Sequence, residues 1–131
     1  MKNSNEIFKA ARQLHFSGKI KESQKLYLKL LKNNEDNDKL LFLVGTTYLQ
    51  LKNYNKAINY LRLSIKHNQN FPDSYNNIGI ALAETKDYLT ALNNYNEAIK
   101  LNSNFLEAYL NKGIALNKLE QYNEAIDCLK L

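Results

Sequence analysis

The chain has no tryptophan, one proline, one cysteine and four glycines in its 131 residues. Because Cys128 is the only thiol, no internal disulfide can form, which agrees with a reducing compartment. No apolar run has the length of a signal peptide's core or the roughly 18 residues of a transmembrane helix. The glycines stand apart, which excludes a glycine-rich phosphate loop. We therefore expect a cytoplasmic protein without a membrane partner.

Acidic residues are scarce in the first quarter of the chain. Residues 1–35 hold eight Lys and Arg against three Asp and Glu, whereas residues 36–131 hold ten of each. Four lysines would form a basic stripe on one side of a helix, and they are Lys21, Lys25, Lys29 and Lys32. The stripe is typical either of an acidic partner, nucleic acid or membrane surface, or of a solvated outer face. Only Tyr27 interleaves with it as an aromatic residue, so we favour the solvated face and do not expect nucleic acid as a partner.

One phrase occurs twice at a distance of 34 residues, as "GIALAETKDYLTAL" from Gly79 and "GIALNKLEQYNEAI" from Gly113. Three columns keep this step, namely Gly45, Gly79 and Gly113, then Tyr54, Tyr88 and Tyr122, then Ala57, Ala91 and Ala125. Polar breaks, "LKNYNKA", "TKDYLTA" and "LEQYNEA", follow the glycines, and apolar residues recur at three- and four-residue steps around them. Each unit is therefore predicted to be two antiparallel helices joined by a short turn.

These columns resemble the tetratricopeptide repeat family. With the glycine as the eighth place of the unit, the family's aromatic fourth place falls on Tyr75 and Tyr109, and its small twenty-seventh place on Ser64 and Ala98. The resemblance covers essentially the whole chain. It implies an all-α fold, an α-solenoid of antiparallel helix pairs in a right-handed superhelix. It also implies one domain over residues 1–131 with repeats at 4–37, 38–71, 72–105 and 106–131, the last being truncated.

Packing explains why the small residues recur. A glycine or alanine at one place on each helix lets two helix axes approach closely, and bulky residues fill the space beside it. The first unit is weaker, with Ala11 at the glycine place and Ser23 at a small place, as expected of an end repeat. Because one pair cannot bury its apolar face alone, successive pairs are expected to stack.

The resemblance further implies a partner-binding groove, because the first helix of each pair faces inward in proteins with this repeat. Apolar residues with polar borders at these inward places are typical of a partner site. The residues that we expect to contact the partner are Phe8, Arg12, Phe42, Leu43, Thr46, Asn76, Asn77, Ile80, Leu110, Asn111 and Ile114.

Two groove chemistries known in the family can be compared with this lining. Chaperone-binding members hold a C-terminal carboxylate with lysine, asparagine and arginine, and this set is absent here. O-linked N-acetylglucosamine transferases use an asparagine ladder at the sixth place, which Asn77 and Asn111 fit and Leu43 and Lys9 do not. Amides suit a peptide backbone because they both donate and accept. We expect Asn77 and Asn111 to contact partner backbone. Phe42, Leu43 and Ile80 are expected to contact apolar side chains of the partner.

Catalytic groups are sparse. His15 and His67 are the only histidines and lie at non-equivalent places of different repeats, which disfavours a metal site or a pair with Cys128. We predict no enzyme activity, no metal and no cofactor.

The fourth repeat ends partway through its second helix, and no polar capping helix follows. Either the chain is a fragment of a longer protein or another copy covers the open end. We expect self-association, as a homodimer, through Ile126 and Leu129.

The sequence therefore predicts a non-catalytic protein–protein interaction module, an adaptor that binds a peptide or helix of a partner protein in its concave groove. The alternative is the N-terminal, substrate-selecting repeat array of a larger enzyme such as a glycosyl- or sulfotransferase.

Overall fold

The computed structural model describes the backbone of residues 2–129 and the side chains of residues 2–123. Within these limits the chain forms seven helices and no strand, so the predicted all-α class is confirmed. The helices are α1 (Ser4–Phe16), α2 (Ile20–Leu31), α3 (Asp38–Gln50), α4 (Tyr54–His67), α5 (Pro72–Glu84), α6 (Tyr88–Leu101) and α7 (Leu106–Leu129).

The helices fall into two compact units. The N-terminal unit, Met1–Gln69, holds α1 to α4, and the C-terminal unit, Asn70–Leu131, holds α5 to α7. In the N-terminal unit α1, α2 and α3 share one apolar core, made by Ala11, Tyr27, Leu30, Leu31, Leu40, Leu41, Leu43 and Val44. In the C-terminal unit most of the buried apolar residues are alanines on α5, α6 and α7, and Tyr95 is the largest buried side chain.

A glycine on the first helix of a pair faces a bulky residue sixteen positions later. A Cβ added to Gly45 would lie 2.7 Å from Leu61 Cγ, and one added to Gly79 would lie 2.4 Å from Tyr95 Cε1. Ordinary carbon contacts are about 3.5–4.0 Å, so only glycine permits this approach of the helices. The packing role predicted for these two glycines is confirmed. The predicted small residues beside them are also fully buried, namely Ala57, Ser64, Ala91 and Ala98.

The turn inside each of the first three pairs contains a residue of positive φ. Gly18 has φ +80°, Lys52 has φ +65° and Lys86 has φ +68°, and the three lie 34 residues apart. Asn53 and Asp87 follow the two lysines, and the side-chain oxygen of each accepts a hydrogen bond from the backbone N–H three residues later. A left-handed residue thus ends one helix and an N-cap starts the next.

The turn predicted at "LEQYNEA" is wrong, because α7 runs without interruption for 24 residues. Glu120 and Gln121 occupy the places that Lys86 and Asp87 hold in the preceding pair. Glutamine is a poor N-cap, and both Glu and Gln favour helix interiors, so the helix is not ended there. No described atom lies within 4 Å of a Cβ added to Gly113, the third glycine of the column.

Candidate functional site

A cavity of the N-terminal unit lies between α1 and α3. Its volume is about 420 Å³, and its lining is Arg12, His15, Phe16, Phe42, Leu43, Thr46 and Gln50. Four of these residues belong to the predicted partner groove: Arg12, Phe42, Leu43 and Thr46. Helix α1 supplies its third and fourth turns and α3 its middle and last turns, so residues at helical spacing on two helices form the two walls. We call this cavity the Arg12 pocket.

Hydrogen bonds of His15 join the walls of the Arg12 pocket to the core. The ring Nε2 lies 2.7 Å from Gln50 Oε1 on α3, and the ring Nδ1 lies 3.1 Å from the Tyr27 hydroxyl on α2. An amide oxygen only accepts, so Nε2 donates to Gln50 and Nδ1 accepts from Tyr27. Burial raises the pKa of Tyr27, and the Arg12 charge opposes that rise. His15 thereby fixes α1 against α3, a role that its sequence position did not reveal.

Arg12 lies between two aromatic rings of its own helix. Its Cζ is 5.3 Å from the Phe16 ring centroid and 6.0 Å from that of Phe8, which is one turn away on the other side. Phe16 is 82% exposed. Guanidinium groups stacked on rings keep their N–H edges free for hydrogen bonding. The pocket therefore presents a held cation beside an uncovered apolar ring.

A second, smaller cavity adjoins Phe8 in the same unit. Its volume is about 240 Å³, and its lining is Ser4, Asn5, Phe8, Leu30, Asn34, Asn37, Lys39 and Leu40. Along α1, Phe8 lines this cavity and Arg12 lines the other, so the stacked pair separates them. Neither lining contains an aspartate or a glutamate.

Two residues predicted to be exposed in the groove are buried. Leu43 is 7% exposed and packs in the core of the N-terminal unit, although its edge reaches the Arg12 pocket. Asn76 is 1% exposed, and its Oδ1 accepts a 3.2 Å hydrogen bond from Asn111 Nδ2. Asn76 is thus a packing residue whose amide oxygen is satisfied by α7, and its burial leaves little of the side chain accessible to a partner.

The C-terminal unit has a smaller cavity between α5 and α7. Its volume is about 150 Å³, and its lining is Ile80, Ala83, Glu84, Tyr88, Tyr95, Asn111, Ile114 and Ala115. The predicted groove residues Ile80, Asn111 and Ile114 therefore come together. Asn77 is half-buried outside this lining, and Leu110 is 61% exposed on α7.

Carboxylates set the electrostatics of the C-terminal unit. Burial, with Glu84 and Glu107 adding to it, raises the pKa of Tyr95 to about 12. Burial, and then the charge of Glu107, raises the pKa of Asp73 above its usual range. The cavity of this unit therefore has negative charge around it, unlike the Arg12 pocket.

The basic stripe, a metal site, a membrane-spanning helix and the expected self-association residues remain to be compared with the structure. The four lysines of the basic stripe are all exposed on or just after α2. Among the described residues there is no group of three His, Cys, Asp or Glu able to hold a metal ion, and no helix long and apolar enough to cross a membrane. Ile126 and Leu129, expected to mediate self-association, lie outside the residues whose side chains are described.

Comparison with known proteins gives two sequence-family matches, both described as tetratricopeptide repeat. One family model matches residues 38–71 and 72–105, which is more than half of the chain, and the other matches residues 94–127. A comparison with curated protein sequences gives no match.

Several solved structures have a similar fold. The first tetratricopeptide repeat domain of Spaghetti (RPAP3), bound to the HSP90 peptide SRMEEVD, has a TM-score of 0.85 at 20% identity over 89% of this chain and 93% of its own. The Sgt2 domain from Aspergillus fumigatus has a TM-score of 0.86 at 17% identity, over 95% and 83%. An O-GlcNAc transferase mutant from Thermobaculum terrenum has a TM-score of 0.80 at 21% identity, over 88% of this chain and 23% of its own. These identities support similarity of fold alone.

Proposed function

Since the chain belongs to the tetratricopeptide repeat family, we propose that it is a non-catalytic adaptor that binds a segment of a partner protein between α1 and α3. The observation that carries the proposal is the Arg12 pocket. It combines about 420 Å³ of space with the uncovered ring of Phe16 and a few polar groups. Concave, mainly apolar sites with a small number of fixed polar groups are typical ligand sites.

The rigidity of the pocket supports binding without a large ordering cost. The His15 hydrogen bonds hold the two walls, and the wall residue Leu43 is anchored in the core. A preformed site loses less side-chain entropy when it binds. Aromatic and arginine side chains are also the residues that most often dominate binding energy at interfaces, and Phe16, Phe42 and Arg12 supply them here.

The test is affinity capture of partners from the cells of origin with the wild type and two variants. Each variant differs from the wild type at a single residue. Thr46→Trp fills the pocket from α3, whereas Lys25→Gln changes an exposed residue of α2. We expect a partner retained by the wild type and by Lys25→Gln to be lost with Thr46→Trp. Equal capture by all three proteins would place binding outside the pocket and refute the proposal.

A second candidate function is the repeat array of a larger enzyme. The transferase structure supports it, because a repeat region similar to this chain forms 23% of that protein. The intact mass of the natural polypeptide decides between the two, compared with the 15.2 kDa of these residues. A mass near this value favours the adaptor, and a much larger one favours the array.

Location in the cytoplasm and homodimer formation are further parts of the proposal. The single cysteine is compatible with a reducing compartment. Exposed apolar residues on α7, Leu106, Tyr109 and Leu116, are the described surface that supports self-association. Light scattering at rising protein concentration tests it, and a constant monomer mass would contradict it.

A further inference from the structure

We propose that the Arg12 pocket recognises an acidic side chain, Asp or Glu, within an internal segment of the partner, with an apolar neighbour packed on Phe16 and Phe42. This inference rests on the proposed function, because it names the chemistry of the segment that the pocket binds.

The charge of Arg12 is unpaired within the part of the chain that the structure describes. No carboxylate among the described residues forms an ion pair with it, and its contacts are the faces of Phe8 and Phe16. The stack fixes the guanidinium plane and leaves its N–H edge available, which suits a two-point bond to a planar carboxylate. A carboxylate bound there would be charge-assisted and partly shielded from water by Phe16.

The N-terminal unit as a whole is positively charged. Residues 1–69 contain thirteen Lys and Arg against five Asp and Glu, whereas residues 70–131 contain five against eight. Neither the Arg12 pocket nor the smaller cavity beside Phe8 has an acid in its lining, and Lys39 adds a cation to the smaller one. An acidic segment would be attracted to this unit and would meet no like charge in these two cavities.

The positions of the two cavities favour one kind of carboxylate. Arg12 and Phe8 lie between two cavities, of about 420 and 240 Å³, that follow each other along α1. A peptide whose carboxylate contacts Arg12 can continue into a cavity on either side. A chain terminus would leave one cavity empty, so the geometry favours the side chain of an internal residue. The neutral partners Thr46 and Gln50 offer hydrogen bonds to the continuing backbone.

The experiment is a selection of random phage-displayed peptides on the full chain, with the peptides held at internal positions. Selected peptides are then synthesised with both ends blocked, and their affinities are measured for four proteins. These are the wild type, Arg12→Gln, Lys25→Gln as the matched loss of one charge in the same unit, and Thr46→Trp as the filled pocket. Circular dichroism verifies that each variant is folded.

We expect the selected peptides to pair an acid with a large apolar residue. Arg12→Gln should weaken their binding roughly tenfold or more, since a charge-assisted hydrogen bond is lost, while Lys25→Gln should change it less than about twofold. Added salt should weaken binding to the wild type more than to Arg12→Gln.

Different failures have different meanings. Peptides that lose affinity with Thr46→Trp but carry no acid, or that bind Arg12→Gln as well as the wild type, overturn the acidic recognition and leave the groove function standing. The selected peptides are also synthesised with a free C-terminal carboxylate, and binding at least about tenfold tighter in that form overturns the choice of an internal side chain. Selection of no peptide, or of peptides insensitive to Thr46→Trp, counts against the groove function and this inference together.

Discussion

Two glycines at equivalent places of the repeat should respond to the same substitution with opposite signs. Gly79 is buried against Tyr95, whereas Gly113 is exposed. We predict that Gly79→Ala destabilises the protein and that Gly113→Ala stabilises it. Both changes add one methyl group to a helix, so the difference between them isolates the effect of tertiary packing.

The magnitude for Gly79→Ala follows from the contact distances. The new Cβ would lie 2.4, 2.7 and 2.9 Å from the Cε1, Cδ1 and Cζ atoms of Tyr95, about 1 Å closer than carbon atoms normally approach. The ring is rigid and 2% exposed, so relief requires movement of α5 or α6. Overpacking of this kind costs about 1–3 kcal/mol, and the better helix propensity of alanine recovers about 1 kcal/mol. The net loss should be up to about 2 kcal/mol.

Gly113→Ala should bring the gain in helix propensity without the steric cost. With no described atom within 4 Å of the added Cβ, alanine should stabilise α7 by about 0.5–1 kcal/mol. Thermal unfolding by circular dichroism should show a lower midpoint for Gly79→Ala and a higher one for Gly113→Ala, by several degrees each, at about 4 °C per kcal/mol for a domain of this size.

Repeat units can unfold separately, so one thermal midpoint does not show which helices were affected. A measurement that resolves individual helices is therefore added. Amide hydrogen exchange should speed up in α5 and α6 for Gly79→Ala and slow down in α7 for Gly113→Ala. Gly45→Ala repeats the test in the N-terminal unit and should also destabilise the protein. There the added Cβ would lie 2.7 Å from Leu61 Cγ and 3.0 Å from Leu61 Cδ2. Shifts of the same sign for Gly79→Ala and Gly113→Ala would refute the reasoning.

Four further predictions test the packing, the turns and the titration of the C-terminal unit. Ala91→Leu, at a fully buried position, should force its helix pair apart and cost about 1–3 kcal/mol; unchanged melting would mean that the repeat register is wrong. Lys52→Gly should raise stability by about 0.5–1 kcal/mol in urea unfolding, because glycine adopts a φ of +65° without strain, and a loss would refute this. Glu120→Gly combined with Gln121→Asp should create a turn within α7, seen as fast amide exchange at both sites; continued protection would disprove the capping explanation. Because the folded pKa of Tyr95 is about 12, above its usual 10.0, its contribution is complete below pH 10.0 and is lost as the pH rises toward 12. Tyr95→Phe should therefore lose less stability over that alkaline range, and parallel losses would contradict it.

The sequence was sufficient to predict the parts of the fold that depend on repetition. The step of 34 residues located the glycines, and the buried Ala57 and Ala91 follow from the same register. The turn at Glu120 was mispredicted because the polar pattern was copied from one repeat to the next. The N-cap chemistry at position 121 carried the contrary signal, since Asn and Asp in the earlier turns are replaced there by Gln.

The candidate site was less accessible to sequence reasoning because exposure depends on neighbours that are distant in the chain. Arg12, Phe42 and Thr46 line a cavity, in agreement with their predicted place in the groove. Leu43, which is on α3 with Phe42 and Thr46, instead packs in the core. Asn76 is buried because Asn111, 35 residues later, satisfies its amide. The hydrogen bonds of His15 with Tyr27 and Gln50 could not be predicted, because no local sequence pattern requires a histidine at that place.

The difference between the two units follows from what the repeat leaves unspecified. Close packing fixes the glycine, the alanine and the bulky residue that faces them. The remaining inward places are free to vary. They carry Arg12 between aromatic rings in one unit, and Glu84 beside the cavity in the other. A carboxylate introduced at position 12 should therefore cost little stability but reverse the charge preference of the N-terminal unit. The residues that set binding specificity in this chain are thus different from those that stabilise the fold. For this reason the affinity of the selected peptides for Arg12→Gln can test recognition without unfolding the protein.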